Sequence, residues 1–468
     1  MQVRKHVVIV ALLALNTASA AERVERLYEQ HCAACHGARF EGGLGGSLVD
    51  GVWNHGETDA AIAKSIADGN PEFGMTPFRG VLSDEEIRAM VVYLREREKQ
   101  ERERTARPPL ARRDAVVETE RQRYRMEVFA TGLEIPWSIA FLPDGTFLVT
   151  ERPGRLRPVS ADGQVGPAIR GTPAVMHHGQ GGMMEVALHP GYASNGWIYL
   201  AFAEGDREGK HVRVMTAIVR GRIRDGAWVD EQEIWRADRS FYGGAGVHFG
   251  SRIAFDREGF LFFVVGERGG WHEAQDLARP NGKIYRLHDD GRVPADNPFR
   301  DTPGALPGIW SYGHRNPQGL AFDTRNGDLY STEHGPRGGD EFNLIRPGAN
   351  YGWPVISHGI NYNGLPFTSL TEKEGMEQPV LHWTPSIAAC GLAFYEGDAF
   401  PAWKRQFFAG ALAQQEVRRL KVENRRVVEQ EVILKNAGRV RDVRAGPDGL
   451  LYVVLNGPDQ VVRLRPAE

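Results

Sequence analysis

The sequence has little excess charge of either sign. Its 57 Lys and Arg residues nearly balance 60 Asp and Glu residues, which leaves a formal net charge of −3. A chain with this balance has no long-range attraction for a phosphate backbone or an anionic lipid surface. Nucleic-acid binding is therefore disfavoured. The 41% of hydrophobic residues can build folded cores, which excludes wholesale disorder.

Apolar runs of membrane-spanning length are also missing. The run Val7 to Leu15 is well short of the roughly 20 residues that cross a bilayer. It follows Arg4 and Lys5 and ends near Ala18-Ser19-Ala20, a pattern typical of a secretory signal peptide, residues 1–20. We predict cleavage after Ala20 and a soluble periplasmic protein; an uncleaved membrane anchor is the alternative.

Cysteine is scarce, with three residues in the chain of 468, where exported proteins normally carry pairs. Two of them form Cys32-Ala-Ala-Cys35-His36, the attachment motif of c-type haem. In this motif both thiols bind the porphyrin and the adjacent imidazole binds the iron. A redox Cys-x-x-Cys pair is the alternative, but it requires no adjacent histidine.

The second iron ligand is predicted to be Met75, because Pro77 stiffens its loop and His/Met ligation is common in cytochromes c. Met90 is the competitor, but it lies in a helical apolar pattern with Ile87 and Leu94, which indicates a core position.

Residues 21–100 are predicted to form one all-α haem domain. An opening helix contains Val24, Leu27 and Tyr28, and a closing helix begins at Ser83 with the capping-box residue Glu86. This part resembles a class I cytochrome c. The charged stretch from Arg95 to Arg113 is interpreted as a solvated helix end and tether, and residues 101–123 as a linker containing Pro108-Pro109.

Turn residues dominate the rest of the chain. The 55 Gly and 27 Pro exclude long helices from most of it. From Tyr124 onward one unit repeats: an apolar strand, a tight turn and a second apolar strand. The six copies span residues 141–149, 188–200, 254–263, 321–330, 394–408 and 445–453. Such a repeat predicts a six-bladed β-propeller over residues 124–468; a long β-sandwich is the alternative.

Motifs in the predicted loops identify a family. They are Leu133-Glu-Ile-Pro-Trp-Ser-Ile-Ala140, Gly179-Gln-Gly-Gly-Met183, Gly266-Glu-Arg-Gly269, Gly282-Lys-Ile-Tyr-Arg-Leu287, Gly313-His-Arg-Asn-Pro-Gln-Gly-Leu320, Glu333-His-Gly-Pro336, Asn350-Tyr-Gly-Trp-Pro354 and Arg439-Val-Arg-Asp442. In this order they resemble the soluble PQQ-dependent sugar dehydrogenases, in particular the aldose sugar dehydrogenases. The resemblance implies a six-bladed propeller that holds pyrroloquinoline quinone (PQQ) and calcium at one rim.

The resemblance also implies roles for individual residues. His248 corresponds to the general base, and a neutral imidazole can take the proton of an anomeric hydroxyl while hydride leaves for the quinone. The neighbouring loop histidines His178, His314 and His334 are supporting candidates. Glu267 and Trp383 are implied to lie near the sugar.

The cofactor contacts follow in the same way. PQQ carries three carboxylates, which planar guanidinium groups match, and the implied contacts are Arg315, Arg439, Arg441, Asn316 and Gln180. The implied calcium ligands are the carbonyls of Gly335 and Pro336 for a catalytic ion, with Glu341 and the carbonyl of Tyr351 for a structural ion. The alternative for each arginine alone is a surface ion pair, and for Asp340-Glu341 a solvated turn.

One position departs from the family pattern. Ala413 occupies the place of a lysine that contacts the cofactor. Lys404, Arg418 or Arg419 could replace that charge, cofactor affinity could be lower, or the propeller could work without PQQ.

The leading functional hypothesis is a quinohaemoprotein oxidoreductase. It would oxidise an aldose or related polyol at the anomeric carbon by hydride transfer to PQQ, pass the electrons to the fused haem c and from there to an external carrier. The alternatives are a calcium-dependent propeller lactonase and a non-catalytic ligand-binding propeller.

Overall fold

The computed structural model describes residues 21–105, 115–362 and 364–467. The predicted signal peptide and Pro108-Pro109 lie outside these residues. The α-helices are α1 (Ala21–His31), α2 (Ala33–His36), α3 (Asp59–Asp68), α4 (Asp84–Thr105) and α5 (Tyr192–Asn195). Four short 3-10 helices span Pro71–Phe73, Arg239–Phe241, Trp271–Gln275 and Pro401–Trp403.

Twenty-four strands are found in the described part of the chain. They are β1 (Val116–Glu118), β2 (Arg123–Ala130), β3 (Pro136–Phe141), β4 (Phe147–Glu151), β5 (Arg155–Val159), β6 (Met183–Leu188), β7 (Ile198–Glu208), β8 (His211–Arg224), β9 (Ala227–Arg236), β10 (Ile253–Phe255), β11 (Leu261–Val265), β12 (Lys283–Leu287), β13 (Ile309–Tyr312), β14 (Pro317–Phe322), β15 (Leu329–Glu333), β16 (Asp340–Ile345), β17 (Leu381–Trp383), β18 (Ala389–Tyr395), β19 (Gln406–Ala411), β20 (Glu416–Glu423), β21 (Arg426–Lys435), β22 (Arg439–Ala445), β23 (Leu451–Asn456) and β24 (Gln460–Pro466).

These strands form six antiparallel sheets, the blades of a propeller, and the predicted fold is confirmed. Each of the six repeated units forms the first two strands of a blade, for example β14 and β15 paired through Ala321 and Tyr330. The first strands β3, β6, β10, β14, β18 and β22 contact one another in a closed ring. The last blade closes the ring because β1 and β2 from the start of the propeller join β24, β23 and β22 from its end.

A buried ion cluster lies on the inner strands of this ring. Arg252 is 1% exposed and its Nη1 lies 2.8 Å from Glu185 and 2.9 Å from Asp442. Its Nη2 donates to the carbonyl of Arg441 at 2.8 Å, and its guanidinium lies 4.1 Å from the Trp137 ring centroid. These contacts link three blades, because Glu185 lies on β6, Asp442 lies on β22 and Arg252 directly precedes β10.

The N-terminal helices form the predicted all-α domain. The capping box at the start of α4 is present, because the amide of Ser83 donates to Glu86 at 3.0 Å and the amide of Glu86 donates to Oγ of Ser83 at 3.2 Å. None of the described helices has the length and apolar character needed to cross a membrane.

The boundary between the two domains differs from the predicted one. Helix α4 continues past residue 100 to Thr105, and β1 lies inside the predicted linker. The extension carries ion pairs one turn apart, Arg102 with Glu98 at 2.9 Å and Arg104 with Glu101 at 2.5 Å, which stabilise helices.

Candidate functional site

The centre of the candidate site is His248, on the loop that precedes β10. Its φ of 52° lies in the left-handed region, which residues other than glycine rarely adopt and which is concentrated at functional sites. Its backbone amide donates to Oε1 of Gln180 at 2.9 Å, and its ring Nδ1 hydrogen-bonds Oε1 of Glu267. A carboxylate at Nδ1 selects the tautomer with the proton on that nitrogen, so Nε2 is the basic atom.

Burial lowers the pKa of His248 below its ordinary 6.5, and the hydrogen bond to Glu267 opposes this effect. The imidazole is therefore neutral at pH 7, as a general base requires. Glu267 is fully buried, and its second oxygen has no hydrogen-bond partner. The structure thus gives Glu267 a direct contact with His248; its predicted sugar contact remains a prediction.

Glu333 holds several residues of the site in place. The sequence motif assigned it no role. Its Oε2 lies 3.0 Å from Nδ1 of His314, and its Oε1 accepts from the amides of Arg315 and Asn316, the latter at 3.1 Å. The other ring nitrogen of His314 lies 2.9 Å from Oγ of Ser311. One carboxylate therefore fixes the backbone that carries both predicted cofactor residues.

Three predicted arginines come together at this rim. Arg315 is buried and Arg441 is partly buried. The Nε atoms of both arginines and Nε2 of His334 are buried and have no hydrogen-bond partner. Burial, followed by the nearby charges of Arg441 and Arg315, lowers the pKa of His334 well below 6.5, and His248 and Arg439 add to the effect. These groups therefore form a positively charged cluster whose unsatisfied donors fit an anionic ligand.

Gln318 joins two of the predicted cofactor residues, although it carried no predicted role. Its Nε2 donates to Oδ1 of Asn316 at 3.2 Å, and its Oε1 accepts from Nη1 of Arg441 at 3.1 Å. Asn316 also accepts from the amide of Gly250 at 3.2 Å. The signal was available in the motif, because Asn316 and Gln318 are two residues apart where the chain enters β14, a spacing that places side chains on the same face of extended backbone.

Arg268 is a second residue that sequence reasoning missed. Its guanidinium lies 3.4 Å from the Phe249 ring centroid and donates to the carbonyl of Ala245 at 2.6 Å. Burial lowers the pKa of Arg268 to about 9. These contacts hold the loop that precedes His248. The predicted supporting residue His178 contacts the same loop, because its Nε2 lies 3.0 Å from the carbonyl of Gly244.

The predicted calcium ligands lie on the loop after β15. Nη1 of Arg315 lies 3.1 Å from the carbonyl oxygen of His334 and 2.7 Å from that of Gly335, so these oxygens point toward the cofactor residues. Pro336 follows on the same loop. Backbone carbonyls are hard oxygen donors of the kind calcium prefers. Among the described residues no group of three or more His, Cys, Asp or Glu side chains could hold a metal.

The second predicted calcium position contains Glu341 and Tyr351. Glu341 accepts from Nδ2 of Asn343 at 2.9 Å, and burial together with the neighbouring Glu333 raises its pKa. The Tyr351 ring stacks on His314 with centroids 4.5 Å apart. Glu341 is thus a partly buried strand residue beside a second carboxylate, which does not fit a solvated turn.

Trp383 lies at a different part of the rim. Its indole N–H donates to Gln430 at 3.3 Å, and its backbone pairs with Asp340. It lines a cavity of about 690 Å³ between the propeller and the haem domain. Its predicted stacking on a sugar remains a prediction.

Ala413 is exposed, and its amide donates to Ile387 at 3.0 Å. The three residues proposed to replace the missing lysine each have an acidic partner, Lys404 with Asp398 at 2.6 Å, Arg418 with Glu416 at 2.7 Å and Arg419 with Glu431 at 2.9 Å. Arg315, Arg439 and Arg441 therefore remain the predicted cations of the site.

The haem motif holds its histidine through one ring nitrogen. Nδ1 of His36 lies 2.8 Å from the carbonyl of Gly46, which leaves Nε2 for a metal and fixes the ring. A methyl group on Gly45 would lie 2.7 Å from Cε1 of His36, so the imidazole requires glycine at this position.

The remaining haem residues support the same arrangement. Cys32 and Met75 pack against one apolar cluster, and Cys35 is exposed. The sulfur of Met75 lies 3.7 Å from Nδ2 of Asn70, while Met90 is 1% exposed inside the core. Met75 thus remains the ligand candidate, and both thiols are free for covalent attachment.

The fold and the site define a class of protein. It is a six-bladed β-propeller that carries a histidine and several arginines at one rim and is preceded by a cytochrome c domain. Comparison with known families agrees. Residues 133–463 match the Glucose / Sorbosone dehydrogenase family, and residues 19–94 match the family described as Cytochrome C oxidase, cbb3-type, subunit III. The chain belongs to the glucose/sorbosone dehydrogenase family.

Individual relatives are similar over the propeller. The aldose sugar dehydrogenase YliI of Escherichia coli is 43% identical over 335 residues, 70% of this chain and 89% of the relative. A crystal structure of glucose dehydrogenase has a TM-score of 0.70 and 43% identity, and covers 73% of this chain and 99% of its own. The PQQ-bound aldose sugar dehydrogenase of Streptomyces coelicolor has a TM-score of 0.60 and 28% identity, with coverages of 73% and 98%.

Proposed function

We propose that this protein is a quinohaemoprotein aldose dehydrogenase of the periplasm. The observation that carries the proposal is the group of buried, unpartnered polar atoms on Arg315, Arg441, His334 and Glu267 around His248. Buried polar groups without partners are rare in proteins, and here they match the three carboxylates of PQQ and the hydroxyls of a sugar. The family match favours this function over the lactonase and the non-catalytic alternatives.

His248 is the general base of the proposed reaction. Glu267 holds the proton on Nδ1, so Nε2 takes the proton of the anomeric hydroxyl. Gln180 fixes the backbone of His248, and the burial that lowers its pKa keeps the imidazole neutral.

The chain also provides the groups that would hold the cofactors. Arg315, Arg439 and Arg441 would bind the carboxylates of PQQ, with Asn316 and Gln180 as neutral contacts, and the carbonyls of Gly335 and Pro336 would bind calcium. When bound, PQQ accepts the hydride, calcium polarises the quinone and haem c accepts electrons singly. Oxidation of one aldose to its lactone releases two electrons and two protons, so a one-electron acceptor held by Cys32, Cys35 and His36 would turn over twice for each sugar and would need an external one-electron carrier.

The test is reconstitution of the purified protein with calcium and PQQ, followed by addition of aldoses and measurement of the haem spectrum. The haem is expected to become ferrous only with sugar and PQQ together. The variant His248→Gln is expected to slow this reduction about 10²- to 10⁴-fold, the usual contribution of a general base. The matched control is His211→Gln, an exposed histidine on β8. Haem that stays ferric with every aldose, or lactone hydrolysis without PQQ, would contradict the proposal.

A further inference from the structure

The loop formed by residues 334–339 connects the candidate site to the haem domain. At its first end, the carbonyls of His334 and Gly335 accept hydrogen bonds from Arg315. The amide of Gly335 also donates to Oδ1 of Asp340 at 2.9 Å. This end of the loop therefore belongs to the site, where residues 335 and 336 are the proposed calcium ligands.

The other end of the loop is fixed by backbone hydrogen bonds. Arg337 and Ile360 exchange two of them, each 2.9 Å long. The amide of Gly339 donates to the carbonyl of Trp383 at 2.9 Å. Backbone hydrogen bonds thus connect this end of the loop to two neighbouring segments of the propeller.

One stripe of helix α4 lies against this part of the propeller. Glu96 pairs with Arg337, with Nε to Oε1 at 2.8 Å, and Glu103 pairs with Lys435 at 3.1 Å. Arg88 donates to three propeller carbonyls, those of Gly359, Thr368 and Leu370, at 3.2–3.4 Å. Residues seven or eight apart lie on one helix face. The stretch interpreted from sequence as solvated is therefore, at these positions, an interface.

An apolar contact continues from the interface to the haem motif. Ile360 of the propeller is fully buried and belongs to the same apolar cluster as Val92 of α4. A methyl group on Gly338 would lie 3.5 Å from Cγ1 of Val92. Cys32 and Met75 pack against this cluster. One packed apolar cluster therefore joins the loop to Cys32 and Met75 of the predicted haem site.

We propose that the loop of residues 334–339, paired with Ile360 and held against helix α4 by the Arg337–Glu96 ion pair, is the electron-transfer contact between the propeller site and the haem. This inference rests on the proposed function and specifies where its electrons cross between the domains. Each crossing moves one electron and converts ferric haem to ferrous haem. The two protons of the sugar oxidation leave to solvent, and the external carrier reoxidises the haem.

The principal test variant is Glu96→Arg, which places two guanidinium groups opposite each other. Sugar-driven haem reduction is expected to slow by about tenfold or more, because reversing one partner of a partly buried ion pair shifts the docking equilibrium by at least that order. Oxidation of sugar with an artificial acceptor that takes electrons directly from the propeller is expected to stay within about twofold of the wild type. The exchange Glu96→Arg with Arg337→Glu is expected to restore haem reduction.

The matched control is Glu29→Arg, which makes the same charge change at an exposed position of α1 in the same domain. No ion pair joins Glu29 to the described part of the propeller. Haem reduction in this variant is expected to equal that of the wild type. If both reversals slow the reduction equally, the effect belongs to the charge of the haem domain and the docking inference is wrong.

A second readout needs neither PQQ nor sugar. Hydrogen exchange of the apo protein is expected to be faster at the amides of Arg337 and Ile360 when all three attachments are removed, as in Arg88→Ala with Glu96→Arg and Glu103→Arg. The haem spectrum checks that the haem domain is folded. Normal haem reduction in this triple variant would overturn the inference.

The failure of the proposed function gives a different result. In that case the wild type itself oxidises sugar with the artificial acceptor but never reduces its haem, or does not oxidise sugar at all. If the wild type reduces its haem and the triple variant does so at the same rate, the proposed contact is refuted and the proposed function is not.

Discussion

The hydrogen bond between Glu267 and His248 offers a sharp test of the proposed base. In Glu267→Gln the side chain keeps its size, but the amide can donate to Nδ1 and so favour the tautomer that carries the proton on Nε2. That tautomer cannot accept a proton at Nε2. Because Glu267 is fully buried, water does not readily replace the lost carboxylate. We expect kcat/KM for aldose oxidation to fall by about 10²- to 10⁴-fold, which is about 3 to 5 kcal/mol of transition-state stabilisation.

The same variant has a second, independent signature. The bond to Glu267 raises the pKa of His248 against the lowering by burial, so its loss moves the acidic limb of the kcat/KM profile to lower pH. The assay is steady-state oxidation with an artificial acceptor over a range of pH. The variant Glu273→Gln, which makes the same charge change on the neighbouring segment Trp271–Gln275, is the control. A kcat/KM within about threefold of the wild type, with an unmoved acidic limb, would refute the role of Glu267.

Four further predictions concern other parts of the molecule. Since burial lowers the pKa of His248 below 6.5 and the base must be neutral, the acidic decline of wild-type kcat/KM should be centred below pH 6.5; a decline centred above 6.5 contradicts this assignment. Replacing Met75 by Ala should lower the haem reduction potential by on the order of 0.1 V in a potentiometric titration, whereas Met90→Ala should reduce stability without removing a ligand. Arg252→Met should destabilise the propeller by about 3–5 kcal/mol in urea unfolding, because it leaves the single cation Arg444 for two buried carboxylates, Glu185 and Asp442, and so one buried charge uncompensated; a loss below about 1 kcal/mol would show that the cluster is not needed. Ala413→Lys should lower the Kd for PQQ about three- to tenfold in a binding titration, and an unchanged Kd would mean that position 413 does not face the cofactor.

The sequence predicted the blades because their information is local. Each repeated unit has two apolar strands joined by a tight turn, as in Asp144-Gly145, where Oδ1 of Asp144 accepts from the amide of Thr146 at 3.0 Å. The closure of the ring had no such signal. It depends on pairs such as Val128 with Val462, which are far apart in the chain and are decided by the geometry of all six blades.

The site was predictable to the extent that it resides in continuous motifs. His248, Arg315 and Asn316 were identified in this way, but the residues that position them were not. Glu333 acts on three neighbouring residues through both of its oxygens, and no spacing in the chain reveals such a contact. The docking stripe of α4 was missed for a related reason: charged residues that pair across an interface have the same pattern as residues that face water.

The central claim is that a sugar bound at the propeller reduces the haem of the same chain. The most direct measurement is the rate of haem reduction after rapid mixing of PQQ-loaded protein with saturating aldose at several protein concentrations. The account predicts a first-order rate constant that does not change with protein concentration, because donor and acceptor are docked in one molecule. A rate constant that rises in proportion to protein concentration would mean that electrons pass between molecules, and would contradict it.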